Sequence, residues 1–151
     1  MSEVNFPFPW WNKKLTIYNK VVDSTTQRAS WVSTVLENCF WKNVNGTYYA
    51  GKMKFETKDI ICRIPKSEKF VSKRVWDTLT SEQREGHFTL ANGDIIILGE
   101  VEDVIDEYTS GKRSTDIVEK YKKYDECLQI DKYVDNTGDG MALEHYRIIG
   151  L

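Results

Sequence analysis

Few of the side chains that could carry out acid–base, nucleophilic or metal chemistry stand in a working arrangement. The two histidines, His87 and His145, and the three cysteines, Cys39, Cys62 and Cys127, form neither an H-x-x-x-H nor a C-x-x-C spacing, so a zinc site lacks its ligand pattern. No G-x-S-x-G elbow and no glycine-rich phosphate loop of the G-x-x-x-x-G-K-[ST] or G-x-G-x-x-G type occurs, which leaves serine-nucleophile and nucleotide chemistry unsupported. The run DNTGDG at 135–140 has the oxygen ligands and sixth-position glycine of a calcium loop. A bidentate carboxylate should close such a loop at its twelfth position, but Glu144 falls two positions early, so a tight turn is the expectation. Glu100, Glu102, Asp103, Asp106 and Glu107 could supply the two carboxyl groups of a glycosidase. Without sugar-stacking aromatics around them they read as a solvated acidic face. The expectation is a protein that is no enzyme and has no cofactor and no metal.

The remaining reactive residues point the same way. An odd number of cysteines at wide spacing, behind an N-terminus (MSEVNFPFPWW) without a basic start and apolar stretch, reads as three reduced, small apolar residues in a soluble protein that is not exported. No apolar run reaches the roughly 18–20 residues of a membrane span. The 21 Lys and Arg against 23 Asp and Glu, a net charge of -2, argue against coating nucleic acid by bulk charge. With 151 residues, 40% of them apolar and 13% aromatic, the chain can bury one core rich in large rings.

The elements that must position these residues read as mostly β. Residues 1–14 hold F-P-F-P-W-W, with Phe6, Phe8, Trp10 and Trp11, a pattern that fits neither helix nor central strand and predicts an extended aromatic arm. Such an arm packs either across its own domain or onto a neighbouring subunit. Residues 15–151 then form one domain. LTIYNKVV at 15–22 predicts a strand, and WVSTVLENCFW at 31–41 a second one half-buried on both faces, with a helix as its alternative. Asn45-Gly46 is a strong type I′ hairpin signal and predicts a hairpin across 36–55. DIICRI at 59–64 is a strand stopped by Pro65. Thr80 with Gln83 predicts a capping box, and IIIL at 95–98 a strand buried on both faces. Residues 100–108 read as helix or strand, and Ser114 or Thr115 as the cap of a helix running to Tyr121. Two final strands, at 126–133 and 145–151, flank DNTGDG. The fold class expected is mainly β: a small barrel or sandwich of about six or seven strands with one or two short helices. The stretch 66–76 is too decorated for a plain connection, since Lys66, Lys69, Lys73 and Arg74 alternate with the anchors Phe70 and Trp76.

The order of motifs resembles minor structural proteins from the head-to-tail region of tailed phages of Gram-positive bacteria. TIYNK at 16–20, TVLENCFW at 34–41, ICRIP at 61–65, GDIIILG at 93–99, and DNTG followed by LEHYRIIG at 143–150 carry the resemblance. It implies a head-tail connector of the stopper or head-closure type, a small β-barrel in the virion neck. Such a protein forms a ring, expected to be a hexamer, between portal or adaptor and tail. Tail terminators, adaptors and capsid-decorating proteins remain alternatives, as does a carbohydrate-binding module or glycosidase of another class that would stack sugars on Trp10, Trp11, Tyr48, Tyr49 and Trp76. The expected localisation is the virion, assembled in the host cytoplasm, and the expected partners are copies of itself and other neck proteins. Expected contact residues are those of the arm and of the basic stretch 66–76, which could also touch packaged DNA non-specifically.

Overall fold

The computed structural model describes residues 10–138 and 144–151, so Phe6 and Phe8 lie outside the described residues. Six strands, β1 (Lys13–Val22), β2 (Ala29–Ala50), β3 (Met53–Pro65), β4 (Ile95–Leu98), β5 (Cys127–Asn136) and β6 (His145–Gly150), are joined by three short helices. These helices are α1 (Lys73–Trp76), α2 (Ser81–Arg84) and α3 (Ser114–Lys122). The strands close into an antiparallel barrel in the order β1-β2-β3-β6-β5-β4. The mainly-β class read from the sequence is what forms.

Two apolar layers hold the barrel together, one inside it and one outside. Leu15, Ile17, Leu36, Trp41, Cys62, Ile64, Ile96, Leu128 and Ile148 belong to the interior cluster. Alternate residues of β1, β4 and β5, namely Tyr18, Ile95, Ile97 and Cys127, point the other way and meet Ile105, Ile117 and Val118 in the second cluster. The segment 99–113 with α3 therefore forms a cap over the outside of the β1–β4 wall. This explains why Ile95, Ile96 and Ile97 are all fully buried, each burial contributing about 1.5–3 kcal/mol of transfer free energy.

Three local features depart from the sequence reading. Asn45-Gly46 is not a turn: both residues lie inside β2, opposite residues 58 and 57 of β3, and the hairpin turns at Gly51, where φ is +64°. Residues 100–108 form neither helix nor strand. Gly99, at φ +95°, turns the chain off β4, and the Thr16 hydroxyl donates to the Gly99 carbonyl and accepts from the Val101 N–H. The start of α3 is satisfied by the Asp116 carboxylate, which accepts from the N–H groups of Gly111 and Arg113, rather than by Ser114 or Thr115. The Thr80–Gln83 capping box forms as expected, and α2 is followed by Gly86 at φ +78°.

Candidate interaction surfaces

The basic stretch 66–76 is shaped by its two rings. Trp76 is fully buried, and its indole lies beneath the guanidinium of Arg84. Phe70, half-buried, meets Tyr146 at 4.4 Å between ring centroids and also touches Phe88 and Tyr133. Ser72 caps α1 by accepting from the Val75 N–H, and Phe70 bridges to Phe88, so the segment is fastened along its length. Two of its cations are already paired. Lys66 reaches Glu144 at 3.1 Å, and Lys73 reaches Asp77 at 3.1 Å. The Gly138 N–H and then Lys66 hold the Glu144 carboxyl below the usual range. Lys69 lines the rim of a cleft of about 430 Å³ with Lys14, Glu37 and Glu100, and Arg74 is exposed on α1.

At the N-terminal end Trp11 is buried against this chain's own barrel, with its ring 5.8 Å from Phe40 and 5.5 Å from His145. Trp10 beside it is exposed. The five aromatics named as a sugar platform do not form one, because Trp11 and Trp76 are buried while Tyr48 and Tyr49 lie on the β2–β3 ribbon.

That ribbon has no signal in the sequence of comparable strength to its size. The β1 partner of β2 ends at Cys39, and the β6 partner of β3 begins at Cys62, so residues 42–50 and 53–61 pair only with each other. Nine residues per strand project about 25–30 Å beyond the last shared pairing. Tyr48 stacks on Phe55 across the ribbon at 5.1 Å, and Tyr48, Tyr49 and Met53 are exposed. Lys52 sits in the turn and Lys54 just after it, so the tip is aromatic and cationic.

A third surface is the outer face of β3 and β6. Cys62, Ile64, Tyr146 and Ile148 point into the barrel, so Ile61, Arg63, Arg147 and Ile149 point out. Arg63 stands directly opposite Arg147, and Lys42 on β2 and Lys132 on β5 complete the charged side chains of the two rows. Arg63 lies over the Phe40 ring at 5.4 Å, and its buried Nε has no hydrogen-bond partner.

The acidic residues 100–107 lie across the barrel from that face. Asp103 accepts from Lys120 at 2.9 Å and from the Tyr121 hydroxyl at 3.0 Å, which holds its carboxyl below the usual range, Lys120 being the larger influence. Asp106 accepts from Thr109 and the Tyr108 N–H, and Glu107 accepts from the Ser114 N–H. Glu102 is exposed between them. These contacts are structural, and Glu100 stands apart from them in the cleft with Glu37, where Lys14 lies 3.7 Å from Glu100 and 3.6 Å from Glu37. Among the described residues no group of three or more His, Cys, Asp or Glu could hold a metal ion, and no helix is long and apolar enough to cross a membrane. Asp135 accepts from the Thr137 N–H and hydroxyl, a local turn, while Asp139 and Gly140 of DNTGDG lie outside the described residues.

No curated protein matches the chain, and no solved structure does. Residues 10–151, which hold the whole barrel, its cap and the ribbon, match a family of unknown function, DUF6751, and the chain belongs to that family.

Proposed function

We propose that this chain is an assembly protein that works by contact and not by catalysis: a head-tail connector of the stopper type, forming a ring in the neck of a tailed phage. The observation that carries this reading is the β2–β3 ribbon. A rigid barrel that extends two strands beyond its wall, with Tyr48, Tyr49 and Met53 exposed at the far end, has built a reach at the cost of leaving strand edges unpaired. Proteins normally blunt such edges with short strands, lysines or a covering element. Here Lys52 and Lys54 discourage aggregation, while the rings supply the rigid, large-area side chains enriched at protein interfaces. The motif order of the sequence supplies the finer identity.

Quantitative mass spectrometry and cross-linking of purified phage particles test this reading. The expected result is a fixed copy number, six per particle, with cross-links from ribbon lysines to a neighbouring neck protein. Absence from particles, or an irregular copy number, overturns it. Within the basic stretch the informative variant is Lys69→Glu with Arg74→Glu, because both side chains are exposed and neither forms an ion pair among the described residues, unlike Lys66 and Lys73. Exposed substitutions change stability by about 0.5 kcal/mol or less, so the variant should fold and lower the yield of DNA-filled, tailed particles. A normal yield removes stretch 66–76 from the contact surface.

A further inference from the structure

The two outer walls of the barrel are opposite in position and in charge. In the order β1-β2-β3-β6-β5-β4, the β3–β6 pair lies across the barrel from the β1–β4 pair. The β1–β4 wall is covered by the cap, whose residues 100–108 carry five carboxylates and expose Val104 and Tyr108; Lys120 pairs with Asp103 and Lys14 with Glu100, and Lys112, Arg113 and Lys122 are the cap's other cations. Among the described residues no cap covers the β3–β6 wall, and only Trp11 packs at its edge, against Phe40 and His145. Its cations are Lys42, Arg63, Lys132 and Arg147, and the apolar Ile61 and Ile149 lie between them.

Two features mark this wall as lacking a partner among the described residues. Like charges directly opposite each other on neighbouring strands repel, yet Arg63 and Arg147 are such a pair and neither forms an ion pair among the described residues. Asp59, the nearest carboxylate along β3, is paired in register with Val44 and bonds to neither arginine. The buried, unpartnered Nε of Arg63 adds a donor that needs an acceptor. An anionic group seated between the guanidinium groups would relieve the repulsion between them.

We propose that the occupant of this wall is the acidic cap of a second copy of the chain, so that copies join head to tail. The inference rests on the ring proposed above and names its contact. Charge complementarity favours a second copy, since carboxylates with exposed apolar side chains at Val104 and Tyr108 match cations interleaved with isoleucines. Duplex DNA would meet the same cations with phosphate, but it would leave Ile61 and Ile149 without an apolar partner. A contact between opposite, non-identical faces is heterologous, and it closes into a ring when the rotation between copies allows. Glu102 is the cap carboxylate best placed to reach across, because it is exposed and forms no hydrogen bond or ion pair among the described residues.

Sedimentation velocity of the purified chain, at high protein concentration in low and high salt, tests this contact apart from any phage. The wild type should self-associate in low salt and dissociate in high salt. Arg147→Glu and Glu102→Arg should each weaken association about tenfold, the loss of roughly one charge pair. The double variant, Arg147→Glu with Glu102→Arg, should recover it. Circular dichroism of each variant checks that the barrel is intact, and Lys132→Glu offers a second probe of the wall should Arg147→Glu fail to fold. A monomer under every condition, or association indifferent to both faces, overturns the proposal. Salt-sensitive binding of a 30-base-pair duplex, lost in Arg147→Glu while self-association is absent, overturns it in favour of nucleic acid. Particle composition decides the neck reading independently, so the two can fail separately.

Discussion

Asp94 is a buried carboxylate at a strand entrance, held by donors on two sides. Asn19 Nδ2 donates to Oδ2 at 2.8 Å, and the Lys20 N–H donates to Oδ1 at 3.1 Å. Asn19 cannot turn to suit a different partner, because the same amide donates to the Thr89 carbonyl and its oxygen accepts from the Thr89 N–H. Burial raises the Asp94 pKa above the ordinary value, outweighing these donors. The folded state therefore binds the proton more tightly than the unfolded chain does. Stability from this group is fully present below the ordinary aspartate pKa and is lost as pH rises through the raised one. Asp94→Asn removes the titration but turns one acceptor into a donor facing a donor, which costs about 1–3 kcal/mol. Urea unfolding across pH 4–7 should show a variant less stable than wild type, with the deficit growing as pH falls. A deficit that shrinks in acid would mean that the hydrogen bonds, and not burial, control this carboxyl. Gly150 is a steric counterpart: a Cβ there would sit 2.0 Å from the Gln129 carbonyl oxygen, where β6 closes on β5. Backbone cannot yield as a flexible side chain would, so Gly150→Ala should lower stability by about 3 kcal/mol, read as a shifted urea midpoint. A neutral Gly150→Ala would show that the β5–β6 junction is looser than this contact requires.

At the scale of elements, the ribbon shows why a strong local signal gave the wrong turn. A turn at Asn45-Gly46 would set Trp41 opposite Ala50 and leave the strand at 59–64 without a partner on β2. The observed register instead pairs Trp41 with Cys62 and brings Ile64 and Cys39 into one interior. Apolar burial over the whole strand outweighs one favourable turn dipeptide, because a shifted register moves side chains to the wrong face. No window of ten residues reveals that choice. Strand β4 and the α2 capping box were legible because their determinants are contiguous: three isoleucines between two glycine turns, and Thr80 three residues before Gln83. The segment 100–108 was not, since its path is set by Gly99, Thr16 and the Tyr18 hydroxyl bonded to the Asp103 carbonyl. The basic and aromatic residues of stretch 66–76 were visible by type, but which cations are paired depends on Glu144 and Asp77. Arg63 and Arg147 went unnoticed because 84 residues separate two side chains that only strand pairing makes neighbours. Because the ribbon beyond residue 45 pairs with no third strand, and Ile60, which packs on the core at its base, is kept, deleting residues 46–57 should leave the barrel folded. Far-ultraviolet circular dichroism and a melting temperature within a few degrees of wild type are expected, together with loss of cross-linking to a neighbouring neck protein. Collapse of the melt would show that the ribbon belongs to the core.

The molecule as a whole is a barrel with one wall thickened by a cap, and its three cysteines sample those parts separately. Cys39 and Cys62 face the barrel interior, while Cys127 faces the layer between β5 and the cap. All three are free and buried. Burial pushes the Cys39 thiol up to about 12 and that of Cys127 up to about 11, and it raises Cys62 as well. Since the thiolate is the reacting form, none should be alkylated at pH 8 in the native state, and any labelling reports an opening that returns the thiol to water. The openings need not be the same. The cap is a nine-residue helix and an irregular segment, held to the wall by one apolar cluster and by hydrogen bonds such as that from Tyr18, whereas the barrel is closed by strand pairing on all sides. Regions with fewer buried apolar contacts open at lower free energy than the global transition. Pulsed alkylation followed by peptide mass spectrometry should therefore label Cys127 first, at a rate that responds weakly to low urea. Cys39 and Cys62 should follow together, with the steep urea dependence of global unfolding, because the surface exposed sets that slope. Equal rates and equal slopes at all three positions would mean that cap and barrel unfold as one unit. In that event the acidic cap would be as rigid a contact surface as the cationic wall opposite, and the head-to-tail contact would form without reordering either face.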